Sequence, residues 1–193
     1  MPKLQILIAS TRPGRVGPAV ADWFLTRARE QGGFEIQVVD LAEINLPFMD
    51  EPNHPRLRQY TKEHTFRWSA LVDSADAFVF VMPEYNYGFN AQLKNAFDYL
   101  NLEWRYKPVG FVSYGGVAAG TRAVQMIKQV VTALQMMPLA QAVHIPFVRN
   151  FLNEDGRFEA NEELETGADA MLVELRRWTE AMEPLRAGAA QAA

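Results

Sequence analysis

A chain of 193 residues with 49% hydrophobic and 22% charged residues and no cysteine can bury one self-sufficient core. It excludes disulfide frameworks, thiolate metal sites, iron–sulfur clusters and catalytic thiols. The net charge of −4, with 19 basic residues scattered rather than gathered in runs, gives no footprint for a phosphate backbone, so no nucleic-acid partner is expected.

Leu4–Ile8 is a short apolar run ending at a polar Ser-Thr-Arg-Pro-Gly cluster, and Pro18 to about Gln31 carries Val20, Trp23, Phe24 and Ala28 at helical spacing. That predicts a strand, a loop and a helix. Phe34–Asp40 alternates behind Gly32 and Gly33 and predicts a second strand, followed by a loop dotted with Pro47, Pro52 and Pro55. Arg56–Ser74 suits a helix. Ala75–Met82 ends in an almost unbroken apolar run stopped by Pro83, the pattern of a central parallel strand buried on both faces. Ala91–Leu102 reads as a helix, Val109–Ser113 as a fourth strand, Thr121–Leu134 as a helix and Leu139–Ile145 as a fifth strand. An amphipathic helix from about Glu162 to Met182 closes the pattern. The domain expected is 1–185, with 186–193 as a flexible tail.

The opening eight residues are too short and interrupted for a signal peptide, and no apolar run reaches bilayer length. A cytoplasmic protein without a membrane partner is the expectation. Five strands alternating with helices predict an α/β, doubly wound sheet with right-handed crossovers. Ligands of such sheets bind at the carboxyl ends of the strands, beside the reversal of strand order, so the residues after Ile8, Val81 and Val112 are the candidates.

The first of these loops, Ala9 to Pro18, brings two hydroxyls, two arginines and two glycines to a helix N-terminus, a phosphate cradle in composition. It is neither a Walker loop nor a Gly-x-Gly-x-x-Gly fingerprint, although Asp40 stands where a ribose-binding acid would. The alternative is a solvated first turn capped by Ser10 or Thr11. The second loop, Pro83 to Asn90, offers aromatic rings and turn-forming residues that suit a flat heteroaromatic ligand, or tyrosines that only pack on the surface. In the third, Ser113 to Ala123, Gly115 and Gly116 would let a ring approach the backbone closely.

Together, Ser10-x-Arg12, Pro83-Glu84-Tyr85-Asn86 with Leu93-Lys94-Asn95-Ala96 behind it, and Ser113-Tyr114-Gly115-Gly116 leading to Thr121-Arg122-Ala123 resemble the NADPH-dependent FMN reductase family of flavodoxin-like proteins, over roughly residues 4–145. The resemblance implies a flavodoxin-like three-layer fold with a five-stranded parallel sheet in order 2-1-3-4-5, FMN as cofactor and NADPH or NADH as co-substrate. It implies that Ser10, Arg12, Arg15 and Val16 hold the FMN phosphate. Pro83, Glu84, Tyr85, Asn86 and Tyr87 would border the isoalloxazine on one side, and Ser113, Tyr114, Gly115 and Gly116 on the other. Many members carry a serine and an asparagine where this chain has Arg15 and Gly17, so Arg15 would either add charge at the phosphate or turn toward the 2′-phosphate of NADPH.

With the chemistry on the flavin, no catalytic acid–base pair is expected of the protein. The electrons would go to a small-molecule acceptor: free flavin, a quinone, an azo compound or chromate. Two rivals are a flavin-bearing electron carrier or redox sensor that acts through a protein partner, and a flavin-free dehydrogenase supported only by Asp40. His54, His64 and His144 have no metal-ligand spacing, Glu162, Glu163 and Glu165 suit the dipole of the last helix, and Ser113 lacks a nucleophile elbow. The resemblance also implies a homodimer or homotetramer. Phe97–Trp104 with Arg122 is the surface expected to border a neighbour, unless those aromatics are buried within their own domain.

Overall fold

A computed structural model describes residues 1–191 and side chains through Gly188. Five strands, β1 (Lys3–Ile8), β2 (Glu35–Asp40), β3 (Ala77–Pro83), β4 (Pro108–Tyr114) and β5 (Met137–Ile145), form one sheet in the order β2-β1-β3-β4-β5. Every pairing is parallel, as the expected flavodoxin-like order requires. The order reverses between β1 and β3. Ile8 pairs with Asp40 on one side and Val81 on the other, while Pro83 pairs with Tyr114 and Tyr114 with Ile145. That register brings the strand ends level along one rim.

The sheet is buried on both faces because alternate residues of β3 face different helices. Val79 and Val81 pack with Phe24 of α1 (Gly17–Gln31) and Met171 of α6 (Glu162–Gln191). Phe78, Phe80 and Met82 pack against Trp68 of α3 (Glu63–Asp73), Phe97 of α4 (Ala91–Asp98) and Ile127 of α5 (Thr121–Ala133). A one-turn helix, α2 (Leu41–Ile44), follows β2 directly.

Three predicted helices have different limits. The segment from Arg56 divides into a 3-10 turn at Pro55–Leu57 and then α3, because Arg58 takes the left-handed φ of +50°. The helix from Ala91 stops at Asp98, followed by a 3-10 turn at Leu102–Trp104. α6 runs past Met182 and through Pro184 to Gln191. Arg186, expected in the tail, meets Asp76 at 3.4 Å and donates to the Thr179 carbonyl; residues 192–193 lie outside the described residues.

The aromatic segment expected to face a neighbour is turned inward. Phe97, Tyr99, Leu100 and Trp104 are buried, and the Trp104 ring lies 5.0 Å from that of Phe97 and 5.2 Å from that of Phe78. The buried Glu103 carboxylate anchors it, accepting from Tyr60 at 2.8 Å and Ser69 at 2.7 Å with Arg58 at 3.3 Å. Apolar spacing alone does not distinguish a core from an interface, and here the core takes these rings.

Candidate functional site

A cavity of about 320 Å³ opens on the rim, lined by Ser10, Arg12, Gly14, Arg15, Val16, Pro83, Glu84, Tyr85, Tyr114, Gly115 and Phe147 to Asn150. Its volume is that of a small-molecule site. Three of its walls are the expected loops. The fourth, after β5, was missed by the sequence reading, although the strand-end rule that singled out the other loops applies equally to Ile145.

The first loop ends at an uncapped helix. Val16 is the N-cap of α1 without a side-chain bond to the helix, and the first turn carries no acid. Capping by Ser10 or Thr11, the bland alternative, does not occur. The first-turn N–H groups therefore keep their positive potential. Ser10 Oγ lies 2.9 Å from the Tyr85 hydroxyl and joins the first loop to the second. Gly17 is closely packed: a Cβ there would lie 3.0 Å from the Tyr114 hydroxyl and 3.1 Å from Ile8, so one of them would have to shift by a few tenths of an ångström.

Arg15 lines the cavity with its charge already matched. Its Nη1 and Nη2 donate to the two Asp40 carboxylate oxygens at 2.6 and 2.5 Å, and Nη1 also donates to the Ser10 carbonyl. The hydrogen bond to Asp40 holds the guanidinium pKa above its ordinary value. Asp40 also accepts from the Ala42 N–H at 2.9 Å. The acid that alone favoured direct dinucleotide binding is thus engaged within the chain. Arg12 and Arg149, by contrast, are exposed and form no salt bridge among the described residues.

The second loop is a two-residue turn. Tyr85 and Gly88 exchange backbone hydrogen bonds at 2.9 and 3.0 Å, and Asn86 and Tyr87 between them both have positive φ, +50° and +71°, as in a type I′ hairpin. Such a φ is costly for a tyrosine, and the Arg122 guanidinium, 3.8 Å from the ring centroid, offsets it. Arg122 also donates to Glu84 Oε1 through Nε at 2.6 Å and Nη2 at 2.5 Å. Asn86 and Tyr87 stand outside the cavity lining and shape the turn that carries Tyr85.

The third loop contributes Gly115 and Tyr114 to the lining, but not Ser113 or Gly116. Ser113 is fully buried, donating to the Ala119 carbonyl at 2.9 Å and meeting His144 Nδ1 at 2.7 Å. The Gly116 carbonyl accepts from the Phe147 N–H at 3.3 Å, tying this loop to the fourth wall. The other histidines have local partners: His54 accepts from the Arg56 N–H and His64 pairs with Asp50 at 2.9 Å.

Among the described residues, two cavity-lining polar atoms are buried without a hydrogen-bond partner, Glu84 Oε2 and the Tyr114 hydroxyl. Burial, with Tyr85 beside it, pushes the Tyr114 phenol up. Orphan polar atoms in a cavity that also holds an uncapped helix N-terminus fit a ligand that carries both a phosphate and hydrogen-bonding edges.

Residues 2–150 match the model of a family described as NADPH-dependent FMN reductase. The chain is 40% identical over 149 residues to an NAD(P)H-dependent FMN reductase of Schizosaccharomyces pombe, covering 75% of this chain and 74% of that one. It is 36% identical over 166 residues to one of Saccharomyces cerevisiae, covering 79% and 86%. Among solved structures, the flavoenzyme NAD(P)H:(acceptor) oxidoreductase FerB of Paracoccus denitrificans superposes with a TM-score of 0.75 at 17% identity, over 94% of this chain and 99% of that one. No described helix is long and apolar enough to cross a membrane.

Proposed function

The chain belongs to the NADPH-dependent FMN reductase family, and from that premise we propose that the rim cavity seats FMN with its phosphate in the first loop and serves a flat aromatic acceptor of the quinone type. The protein is an NAD(P)H-dependent oxidoreductase with FMN as cofactor and NAD(P)H as co-substrate. The uncapped N-terminus of α1 carries the reading of the site: its N-cap Val16, Ser10 and Arg12, which has no salt bridge among the described residues, all line the cavity. When bound, FMN would supply the redox chemistry of hydride uptake and electron transfer.

The chain's own residues bind and orient. Arg12 and Ser10 hold the phosphate, with the Val16 N–H beside them. Arg15 braces that loop from behind through Asp40. The backbone of Pro83 to Tyr85 and Gly115 borders the ring, and the buried Glu84 and Tyr114 supply polar atoms toward its edge. A single sheet leaves donor and acceptor to use the same mouth in turn, bounded by the partly exposed Tyr85 and Phe147 rings. Exposed rings at that mouth favour a planar acceptor over a hydrated oxyanion.

Anaerobic addition of NADPH to the purified yellow protein should bleach its flavin absorbance; a colourless preparation that takes up no added FMN would reject the site. Steady-state rates with a quinone, free flavin, an azo dye and chromate, each with NADPH and NADH, test the acceptor. Rates with chromate equal to those with the quinone would overturn the aromatic preference alone.

A further inference from the structure

Ser113 and His144 are neighbours across the β4–β5 pairing, and their contact bears on where a proton lies. The Ser113 hydroxyl has one hydrogen. It stands 2.9 Å from the Ala119 carbonyl, which can only accept, and 2.7 Å from His144 Nδ1. With its hydrogen committed to Ala119, the hydroxyl must accept from the ring, so Nδ1 carries a hydrogen. Burial, with Lys128 nearby, lowers the His144 pKa, which leaves Nε2 unprotonated at neutral pH.

The segment held by this chain is difficult to form. Ala119 and Gly120 have consecutive positive φ of +53° and +85°. A Cβ on Gly120 would lie 2.6 Å from Ser113 Cβ and 2.9 Å from the Tyr114 N–H nitrogen. The turn closes with the Ala119 N–H donating to Gly116 and the Thr121 N–H to Ala118, at 3.0 and 2.8 Å. Gly115, at its start, lines the cavity. A residue that fixes the Ala119 carbonyl therefore fixes the wall of the site one turn away.

We propose that His144, acting through Ser113, is a positioning residue that locks the Gly115–Gly120 loop into the conformation forming the third wall of the cavity. His144 lines no part of the cavity itself. Its influence on flavin affinity rests on the FMN reading above, whereas the proton placement and the lock on the loop do not.

The test has two parts. Long-range ¹H–¹⁵N NMR on the protein with and without added FMN should show His144 as the neutral Nδ1–H tautomer. Amide exchange at Ala119 and Thr121, whose N–H groups close the turn, should rise in His144→Leu. In the same variant the FMN dissociation constant should rise about tenfold, the loss of one buried hydrogen bond. His144→Asn, whose amide N–H can replace the Nδ1 donor, should restore binding to within about threefold by that criterion. Ser113→Ala should match His144→Leu, with no further loss in the double variant. An Nε2–H tautomer, unchanged loop exchange in His144→Leu, or an Asn variant no better than the Leu variant would overturn the proposal. Failure of the parent protein to bind FMN would overturn only the flavin reading, and the tautomer and loop exchange would still decide the role of His144.

Discussion

Arg15 and Asp40 are joined by two parallel hydrogen bonds of 2.6 and 2.5 Å that fasten the first loop to the end of β2. Both side chains are largely buried, at 19% and 12% exposure, so the pair is less screened than a surface ion pair. Arg15→Ala leaves the carboxylate without its partner and should lower stability by about 2 kcal/mol. Asp40→Ala should cost a similar amount, and the double variant clearly less than the sum. Urea unfolding of the four proteins forms the cycle. Additive losses would mean that the pair does not act as a unit.

Arg12 also lines the cavity, without a salt bridge among the described residues. Arg12→Gln should raise the FMN dissociation constant about tenfold to a hundredfold, as expected for a charge-assisted hydrogen bond. Riboflavin, which lacks the phosphate, should bind the variant and the parent equally. Fluorescence titration with the two flavins separates a phosphate contact from general damage to the loop.

Lys107 sits beneath the sheet, far from the flavin corner in sequence and function. Its ammonium donates to the Val72 and Asp73 carbonyls at 2.8 and 3.0 Å, and burial pulls its pKa down to about 8. A lowered pKa on a base means that the unfolded chain holds more protons above pH 8. The burial penalty is complete below pH 8, is relieved as pH rises, and ceases to change above the unfolded value of about 10.5. From this group alone stability should increase by roughly 1 to 2 kcal/mol between pH 8 and 9.5. Lys107→Met should lack that rise; the difference between the two proteins' denaturation midpoints at the two pH values measures it.

Arg122 holds Glu84 and Tyr87 together, and Glu84 is only 6% exposed. Arg122→Ala removes the ion pair and the cation over the ring, and should destabilise by about 2 to 3 kcal/mol. Amide exchange should accelerate in the Tyr85–Gly88 turn first. Arg122→Lys, which keeps charge without the planar fork, should recover only part of the loss.

The strand order and the three main loops were legible because each rests on local signals: unbroken apolar runs for β3, punctuation by Pro and Gly, and motifs at the strand ends. What was not legible depends on partners distant in sequence. Arg15 reads as a free cation until folding brings Asp40 to it across β1 and β2. Phe97–Trp104 reads as an interface until Glu103 is seen bonded to Tyr60 and Ser69. Ser113 and Gly116 read as ligand contacts; neither lines the cavity, and their partners, His144 for Ser113 and the Phe147 N–H for the Gly116 carbonyl, come from the β5 side of the rim. Arg149 lacked any motif, and only the level rim of strand ends places it at the cavity.

The pairing of Arg15 with Asp40 and of Arg122 with Glu84 has a kinetic consequence. Cancelling those four charges leaves Arg12 and Arg149, before FMN binds, as the cavity-lining cations without a salt bridge among the described residues, two positive charges on a molecule whose net charge is −4. The flavin phosphate is repelled by the body of the protein and drawn to one spot on it. Encounter is then oriented before contact, and added salt should slow FMN capture by the flavin-free protein several-fold while leaving saturated turnover of the flavin-loaded protein nearly unchanged.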